Sequence, residues 1–200
     1  MAVVFSDEFT GGSGSIEGRA VSGHTWHVYQ GTAALDGSGE VVLRSEGIAY
    51  VAMPEIDSVL DFEVEFKIAG AYDIYFTAGI RQGPATPTYA ILFNDPSALS
   101  VLPGAASMPV IDGLAPLVPG DVVTMRFEAS IGMFKLLVNG SQIASSWLSG
   151  TPSNPHIVLT SWNSGSAGMD PGFSSVVVRT LEAPTPSDFW ANLSGAREVI

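Results

Sequence analysis

The stretch Leu60-Asp61-Phe62-Glu63-Val64-Glu65-Phe66-Lys67-Ile68 alternates strictly between apolar and charged side chains. Successive side chains of a β-strand point to opposite faces, so a strand with one buried face has this period of two. The apolar side chains would face a core, and the three carboxylates and Lys67 would face away from it. The pattern predicts a half-buried strand of a β-sheet protein.

The same alternation recurs on both sides of this stretch. It runs through residues 73–80 and 122–129, and Asn139-Gly140 separates two further strand-like runs. Asn-Gly favours a type I′ hairpin, because both central residues of that turn need a positive φ. Many short strands with turn signals between them predict an all-β fold, a two-sheet antiparallel jelly-roll sandwich with adjacent first and last strands. The other predicted strands are Val3–Phe9, Trp26–Tyr29, Glu40–Leu43, Ile48–Met53, Tyr89–Phe93, Leu99–Leu102, His156–Ser161 and Phe173–Leu181.

The composition of the chain excludes several classes of partner and site. The 200 residues are 46% hydrophobic, which suits one domain with a sizeable core. A net charge of -12, with only 8 Lys+Arg, argues against nucleic acid and anionic membranes as partners. The absence of cysteine excludes disulfides, thiolate metal sites and cysteine nucleophiles. The sequence shows neither a secretory signal nor an apolar run long enough to span a bilayer, so we expect synthesis in a cytoplasm.

The chain changes character after residue 182. Residues 1–182 are predicted to form the sandwich, and Ala183-Pro184-Thr185-Pro186 reads as a stiff linker. Beyond it, the tail to residue 200 carries apolar side chains on a segment too short to bury them, although residues 187–195 could form a short helix. We therefore expect an attachment segment; a frayed terminus is the alternative. The attachment residues would be Phe189, Trp190 and Leu193.

Residues 16–19 form a second unusual segment. Ile16-Glu17-Gly18-Arg19 matches a sequence that is used as an engineered protease site, and it follows a Gly/Ser run. What precedes it has the pattern of a strand rather than of a tag. We expect a natural surface loop.

Scaffold motifs suggest a family. Phe5-Ser6-Asp7-Glu8-Phe9, then Gly18-Arg19 and Gly23-His24-Thr25-Trp26, resembles the start of concanavalin A-like lectin/glucanase domains of bacteriophage structural proteins. The hairpin at residues 134–140 is similar to that of laminin-G-like members. The resemblance covers residues 3–182 and implies a jelly roll with one concave sheet. It names no ligand, because this fold hosts both lectins and hydrolases.

The carboxylates Asp61, Glu63 and Glu65 are the first candidates for catalysis. They share one strand face at a spacing of about 7 Å, whereas retaining glycosidases hold two carboxyl groups about 5–5.5 Å apart. The resemblance to laminarinase-type glucanases implies a Glu-x-Asp-x-x-Glu pattern, and this sequence has Asp-x-Glu-x-Glu. We expect a solvated strand face, partly neutralised by Lys67, and no catalytic residue.

Histidines and loop oxygens are the candidates for metal binding. His24 and His27 would point to opposite faces of one strand, so a structural role is favoured over zinc. Asn94-Asp95 and the loop from Asn163 to Asp170 could hold calcium, hydrogen-bond a sugar, or only stabilise turns. We predict no metal site and no cofactor, and calcium stays open.

Aromatic side chains next to these loops could stack on sugar rings, although packing is the simpler role for most of them. Trp147, Trp162, Tyr75 and Tyr89 are the candidates. Loops on a rigid sandwich carry recognition. A glycan site would therefore use Asn94, Asp95, Trp162 and Asn163.

These observations favour a non-enzymatic virion surface protein of a phage: a head decoration, a head fibre or a tail appendage. Its sandwich would present a glycan- or surface-binding site, and its partners would be other virion proteins, its own copies in an oligomer, or a host surface glycan. The alternative is an endo-glycosidase of laminarinase-like fold that uses the carboxylates of strand 60–68. A third interpretation is a structural module that binds only its own assembly.

Overall fold

The computed structural model describes residues 1–57, 61–69, 76–82, 86–95, 98–103, 117–147, 155–161 and 172–181. At residues 45, 46, 55, 57, 146 and 161, and in the strands between residues 76 and 103, the description covers the backbone only. Within these ranges the chain forms strands and one short helical turn. They are β1 (Ala2–Asp7), β2 (Gly14–Ser15), β3 (Ala20–Val21), β4 (His24–Leu35), β5 (Val41–Ala52), α1 (Pro54–Asp57), β6 (Asp61–Ile68), β7 (Phe76–Gln82), β8 (Thr86–Asp95), β9 (Ala98–Pro103), β10 (Val122–Glu128), β11 (Met133–Val138), β12 (Ser141–Trp147), β13 (Pro155–Ser161) and β14 (Gly172–Thr180).

The strands form an antiparallel two-sheet sandwich, as predicted. One run of hydrogen-bonded neighbours is β12-β11-β10-β6-β14, with β1 also on β14; we call this the back sheet. A second run, β4-β5-β13-β7-β8-β9, is called the front sheet. Strand β5 belongs to both, because Val41 and Val42 pair with β14 whereas residues 48–52 pair with β13. The pairing of β1 with β14 confirms that the first and last strands are adjacent.

The core lies between the sheets and follows the predicted alternation. In β6, the side chains of Phe62, Val64, Phe66 and Ile68 are buried in one apolar cluster. The rings of Phe62 and Phe127, cross-strand partners in β6 and β10, stack with centroids 4.6 Å apart. The front sheet contributes Trp26, Ala49, Val51, Ile157 and Leu159.

The Asn139-Gly140 hairpin has the predicted geometry. Both residues have positive φ, 49° and 78°, as a type I′ turn requires. The Asn139 side chain also fixes the turn to β10: Val122 N donates to Asn139 Oδ1 at 2.9 Å, and Asn139 Nδ2 donates to Asp121 Oδ1 at 2.9 Å. One residue therefore supplies both the turn conformation and the link to the next strand.

The front sheet departs from the prediction in its two longest strands. β4 runs for 12 residues, and the strands predicted at Glu40–Leu43 and Ile48–Met53 are one strand, β5. Irregular pairing near Gln30 and a glycine at position 47 allow β4 and β5 to stay paired along their whole length. A Cβ at Gly47 would collide with the carbonyl oxygen of Thr32, so only glycine allows the two backbones to approach this closely. The alternation is interrupted there, which explains why the pattern suggested a gap.

The described residues contain no helix long and apolar enough to cross a membrane. The tail after residue 182 lies outside the described residues, so the division into residues 1–182 and 183–200 stays a prediction.

Candidate functional site

The residues that carry the family resemblance surround one buried carboxylate, Asp7. Its Oδ1 accepts hydrogen bonds from Phe9 N and Arg19 Nη2, both at 2.8 Å. Its Oδ2 accepts from Arg19 Nε and Trp26 Nε1, both at 2.9 Å. The hydrogen bond to Asp7 raises the pKa of the Arg19 guanidinium. Because a buried carboxylate with four donors is fully satisfied, this motif holds the scaffold together.

The segment Ile16–Arg19 belongs to the same scaffold. Ile16 is fully buried in the core, Arg19 pairs with Asp7, and Trp26 N donates to Arg19 O at 2.9 Å. The expectation of a surface loop is therefore wrong for Ile16 and Arg19, because the segment lies along β4 rather than projecting from it. Glu17 and Gly18 are exposed, and the Glu17 side chain contacts His27 of β4.

The carboxylate row of β6 is paired rather than solvated. Glu63 lies in register between Arg126 of β10 and Arg179 of β14. Arg126 Nη2 lies 2.8 Å from Glu63 Oε2, and Arg179 Nη1 lies 3.4 Å from Glu63 Oε1 and 2.9 Å from Glu65 Oε2. The Glu63 side chain is only 6% exposed. The row is thus the centre of a cross-strand ladder of ion pairs.

Asp61 is held in a different way, by a turn. It is buried and accepts hydrogen bonds from Ser130 N at 2.9 Å and Ser130 Oγ at 2.6 Å. The expectation of a solvated face is therefore wrong for Asp61 and Glu63, and it fits only Lys67, which is exposed. The cause is long-range: Ser130 and the two arginines lie far from β6 in the sequence, so its pattern alone could not reveal them.

This ladder limits what the carboxylates can do chemically. A glycosidase pair needs one carboxyl group that carries a proton and another that reaches the sugar. Glu63 instead meets two guanidinium groups, and Arg179 bridges it to Glu65. The hydrogen bond to Glu65, supported by the charges of both carboxylates, raises the pKa of Arg179. The arrangement favours a structural role for the row.

The outer face of the front sheet carries a different set of groups, a row of rings across three strands. His27 of β4 is the cross-strand partner of Tyr50 in β5, with ring centroids 5.4 Å apart. Tyr50 also contacts His156 of β13, at 5.5 Å and an interplanar angle of 62°. Their sequence neighbours Trp26 and Val51 lie in the core, so the rings face away from it. We call these three residues the ring row.

Glu17 lies beside His27, at the β4 end of the ring row. Glu17 Oε2 accepts a hydrogen bond from Val28 N, and Oε1 lies 3.2 Å from His27 Nδ1. The hydrogen bond from the Val28 backbone, followed by that from His27, lowers the pKa of Glu17. The His27 side chain stays 47% exposed. This end of the row therefore combines an ionised carboxylate, an imidazole and a phenol ring.

The other end of the ring row, on β13, is shielded from solvent. Val158 and Thr160 are 2% and 1% exposed, although Val158 is not part of the core cluster between the sheets. His156 is also buried. The accessible part of the face therefore lies over β4 and β5, where His27 and the half-buried Tyr50 are found.

The side chains of the four predicted ligand residues lie outside the described part of the structure. Asn94 and Asp95 are the last two residues of strand β8, so the expectation that they lie in a loop is wrong, and only their backbone is described. Trp162, Asn163, Tyr75, Phe189, Trp190 and Leu193 lie outside the described residues. Their roles stay predictions.

Two other candidates are placed clearly. Trp147 is 76% exposed at the end of β12, the edge of the back sheet and away from the ring row. His24 contacts the core ring of Phe5 whereas His27 contacts Tyr50, so the two histidines face opposite ways, as predicted. Among the described residues, no three or more His, Asp or Glu side chains are grouped so as to hold a metal ion.

The ring row was missed by sequence reasoning. His27 and Tyr50 each alternate with a buried neighbour, so the outward direction of each was readable. Their proximity depends on the β4–β5 register, which passes through the irregular pairing near Gln30. Ile48–Met53 was predicted as a strand without a partner, so nothing in the sequence indicated which residue stands beside Tyr50.

Comparison with known proteins supports the fold. No family model and no curated protein sequence matches the chain. The Ca²⁺/Man-bound exoplasmic/lumenal domain of VIP36 matches with a TM-score of 0.59 and 13% identity, over 80% of this chain and 85% of that one. The Emp47p carbohydrate recognition domain matches with a TM-score of 0.58 and 12% identity, over 88% and 96%. A sialidase matches with a TM-score of 0.51 and 10% identity, over 86% of this chain but only 19% of its own.

At these identities the comparisons establish the architecture alone. The chain shares the β-sandwich fold of the VIP36 and Emp47p domains, in keeping with the sandwich that the resemblance to concanavalin A-like domains implied. None of them bears on the bacteriophage part of that resemblance.

Proposed function

We propose that this protein is a non-enzymatic glycan-binding domain displayed on a virion surface, as a head decoration, a head fibre or a tail appendage. The observation that carries the glycan part is the accessible His27–Tyr50 ring pair on the outer face of the front sheet, with Glu17 beside it. A pyranose has an apolar C–H face and a rim of hydroxyl groups, so it matches a ring flanked by polar atoms. The shared fold with the mannose-bound VIP36 domain supports the same class of ligand.

The proposal of a non-enzyme rests on the back sheet. Glu63 is buried between Arg126 and Arg179, and Asp61 is occupied by Ser130. An endo-glycosidase using this row would have to displace both guanidinium groups before a sugar could reach Glu63. We therefore favour binding over hydrolysis.

An array of neutral and acidic glycans tests the binding function. We expect the wild-type protein to bind neutral glycans, Tyr50→Ala to lose them, and Trp147→Ala to keep them as an exposed aromatic control on the other sheet. Binding should survive EDTA, because the ring row has no group of side chains suited to a metal. No binding by the wild type would overturn the proposal. Binding lost in Trp162→Ala or Asn94→Ala but kept in Tyr50→Ala would place the site in the predicted loops instead.

Hydrolysis is tested separately, by measuring release of reducing ends from β-glucans and bacterial capsules. We expect none from the wild type. Release that Glu63→Gln or Glu65→Gln abolishes would establish the endo-glycosidase alternative.

The virion role is supported by the sequence motif alone. Its partners would be other virion proteins or further copies of this chain, bound through Phe189, Trp190 and Leu193 of the tail. Mass spectrometry and antibody labelling of purified particles should find the protein on the particle surface. Deleting residues 184–200 should abolish incorporation while the sandwich still folds. Absence from the particles, or unchanged incorporation of the truncated chain, would refute this part of the proposal.

A further inference from the structure

We infer that His27 determines the specificity of the ring row by presenting an unprotonated Nε2, so that the site selects neutral, hydroxyl-bearing sugars over acidic ones. This inference rests on the proposed glycan-binding function and adds the ligand class and the residue that sets it.

The first step is the position of the proton on His27. Its Nδ1 lies 3.2 Å from Glu17 Oε1, and an ionised carboxylate can only accept hydrogen bonds. Glu17 is fixed in place because its other oxygen accepts from Val28 N. That bond lowers the pKa of Glu17, so the carboxylate has no proton to donate at neutral pH. When the imidazole carries a single proton, that proton therefore resides on Nδ1.

The second step concerns Nε2. With the proton on Nδ1, Nε2 carries a lone pair and acts as an acceptor. None of the hydrogen bonds among the described residues uses this atom of His27, and the side chain is 47% exposed. A ligand stacked on Tyr50 would therefore meet an acceptor beside the ring.

The third step is selection between ligands. A sugar hydroxyl can donate to Nε2, but a sugar carboxylate has no proton to offer and would also lie near ionised Glu17. The chain as a whole carries a net charge of -12, which adds to the repulsion of acidic ligands. Specificity then comes from an unfavourable contact with the wrong ligand as much as from a favourable one with the right ligand.

Long-range ¹⁵N–¹H NMR of the His27 imidazole in the free protein tests the proton position without any ligand. We expect the Nδ1–H form in the wild type. In Glu17→Gln, the amide oxygen can still accept from Val28 N while the amide NH₂ donates to Nδ1, so the proton should move to Nε2. An Nε2–H form in the wild type would overturn the inference whether or not the protein binds sugars.

Matched glycosides test the selection. The probes are methyl mannoside and methyl glucoside, each against the uronic acid that differs only at C6. In the wild type, we expect the neutral member of each pair to bind roughly tenfold more tightly than the acidic one. In Glu17→Gln, the affinities of the two members should differ by less than about threefold. Glu8→Gln removes the same charge from an exposed position and should keep the wild-type preference.

The outcomes separate this inference from the proposed function. Equal binding of neutral and acidic members by the wild type, or equal effects of Glu17→Gln and Glu8→Gln, would overturn the selection by His27 while glycan binding stands. Failure of every neutral glycan and glycoside to bind would refute the proposed function, and the selectivity with it.

Discussion

The outer faces of the two sheets both carry polar and charged side chains, but they use them in opposite ways. On the back sheet, Glu63 lies between Arg126 and Arg179, and both of its carboxylate oxygens accept hydrogen bonds from these arginines. On the front sheet, the ring of His27 stays half exposed and its Nδ1 alone contacts Glu17. The carboxylate row stood out in the sequence, whereas the ring row did not.

A row of chemically capable residues on a strand therefore indicates a site only when its partners leave it accessible. Cross-strand neighbours decide this, because on one sheet face they lie about 4.5–5.5 Å apart. Arginines opposite Glu63 produce a ladder that stabilises the sheet. Tyrosine opposite His27 produces a surface on which another ring can stack.

Removing the centre of the ladder should have the largest effect on stability. Glu63→Ala leaves Arg126 and Arg179 facing each other, and both remain partly exposed, at 31% and 23%. We expect a loss of about 2–3 kcal/mol in the free energy of unfolding, below the range for fully buried pairs. Urea unfolding measures it, and glycan affinity should be unchanged. A loss under about 0.5 kcal/mol, typical of an ordinary surface position, would show that the ladder is not structural.

Removing the centre of the ring row should give the converse result. Tyr50→Ala deletes the ring between His27 and His156, and we expect at least about a tenfold loss of affinity for neutral glycans. The free energy of unfolding should fall less than in Glu63→Ala, because Tyr50 is only half buried. Isothermal titration and urea unfolding on the same samples give both quantities. Affinity within twofold of the wild type would remove Tyr50 from the site.

Acid should protonate Glu17 and weaken its hydrogen bond with the Val28 backbone. The pKa of Glu17 is lowered in the folded protein from its ordinary value of 4.5. A group whose pKa falls on folding stabilises the folded state above its unfolded value and loses that effect as the pH falls through the folded value. The amide resonance of Val28 should therefore shift at a midpoint below pH 4.5 and stay unshifted in Glu17→Gln. A midpoint above that pH in the wild type would contradict the Glu17–Val28 hydrogen bond.

The smallest effect should come from Lys67, which the sequence suggested as the neutralising group of the carboxylate row. It is exposed, and the guanidinium groups of Arg126 and Arg179 neutralise Glu63 in its place. Lys67→Gln should change the free energy of unfolding by less than about 0.5 kcal/mol. A larger loss would mean that Lys67 does contribute to the ladder.

The fold was predictable because its signals are local. Alternation located β6 and β10, and Asn139-Gly140 fixed a hairpin, since each depends on residues close in sequence. The β4–β5 pair was less predictable, because the need for glycine at position 47 comes from the Thr32 carbonyl on another strand.

The candidate site was mostly not predictable. His27, Tyr50 and His156 come together only through two strand pairings, and Arg126 and Arg179 reach Glu63 in the same way. The motifs around Asp7 and Trp26 were predicted to belong to the scaffold, and the buried hydrogen bonds of Asp7 give the physical reason. Arg19 was expected in a surface loop, because its ion pair with Asp7 is not visible in the sequence.

Ligands should bind the front sheet, whereas the carboxylate row of the back sheet should only stabilise the fold. Backbone amide NMR during titration with mannobiose, mannotriose and the neutral hits of the array tests it most directly. We predict that shifts concentrate at His27, Val28 and Tyr50 and spare Glu63, Arg126 and Arg179. Shifts that concentrate on those back-sheet residues, with His27 and Tyr50 unaffected, would contradict it.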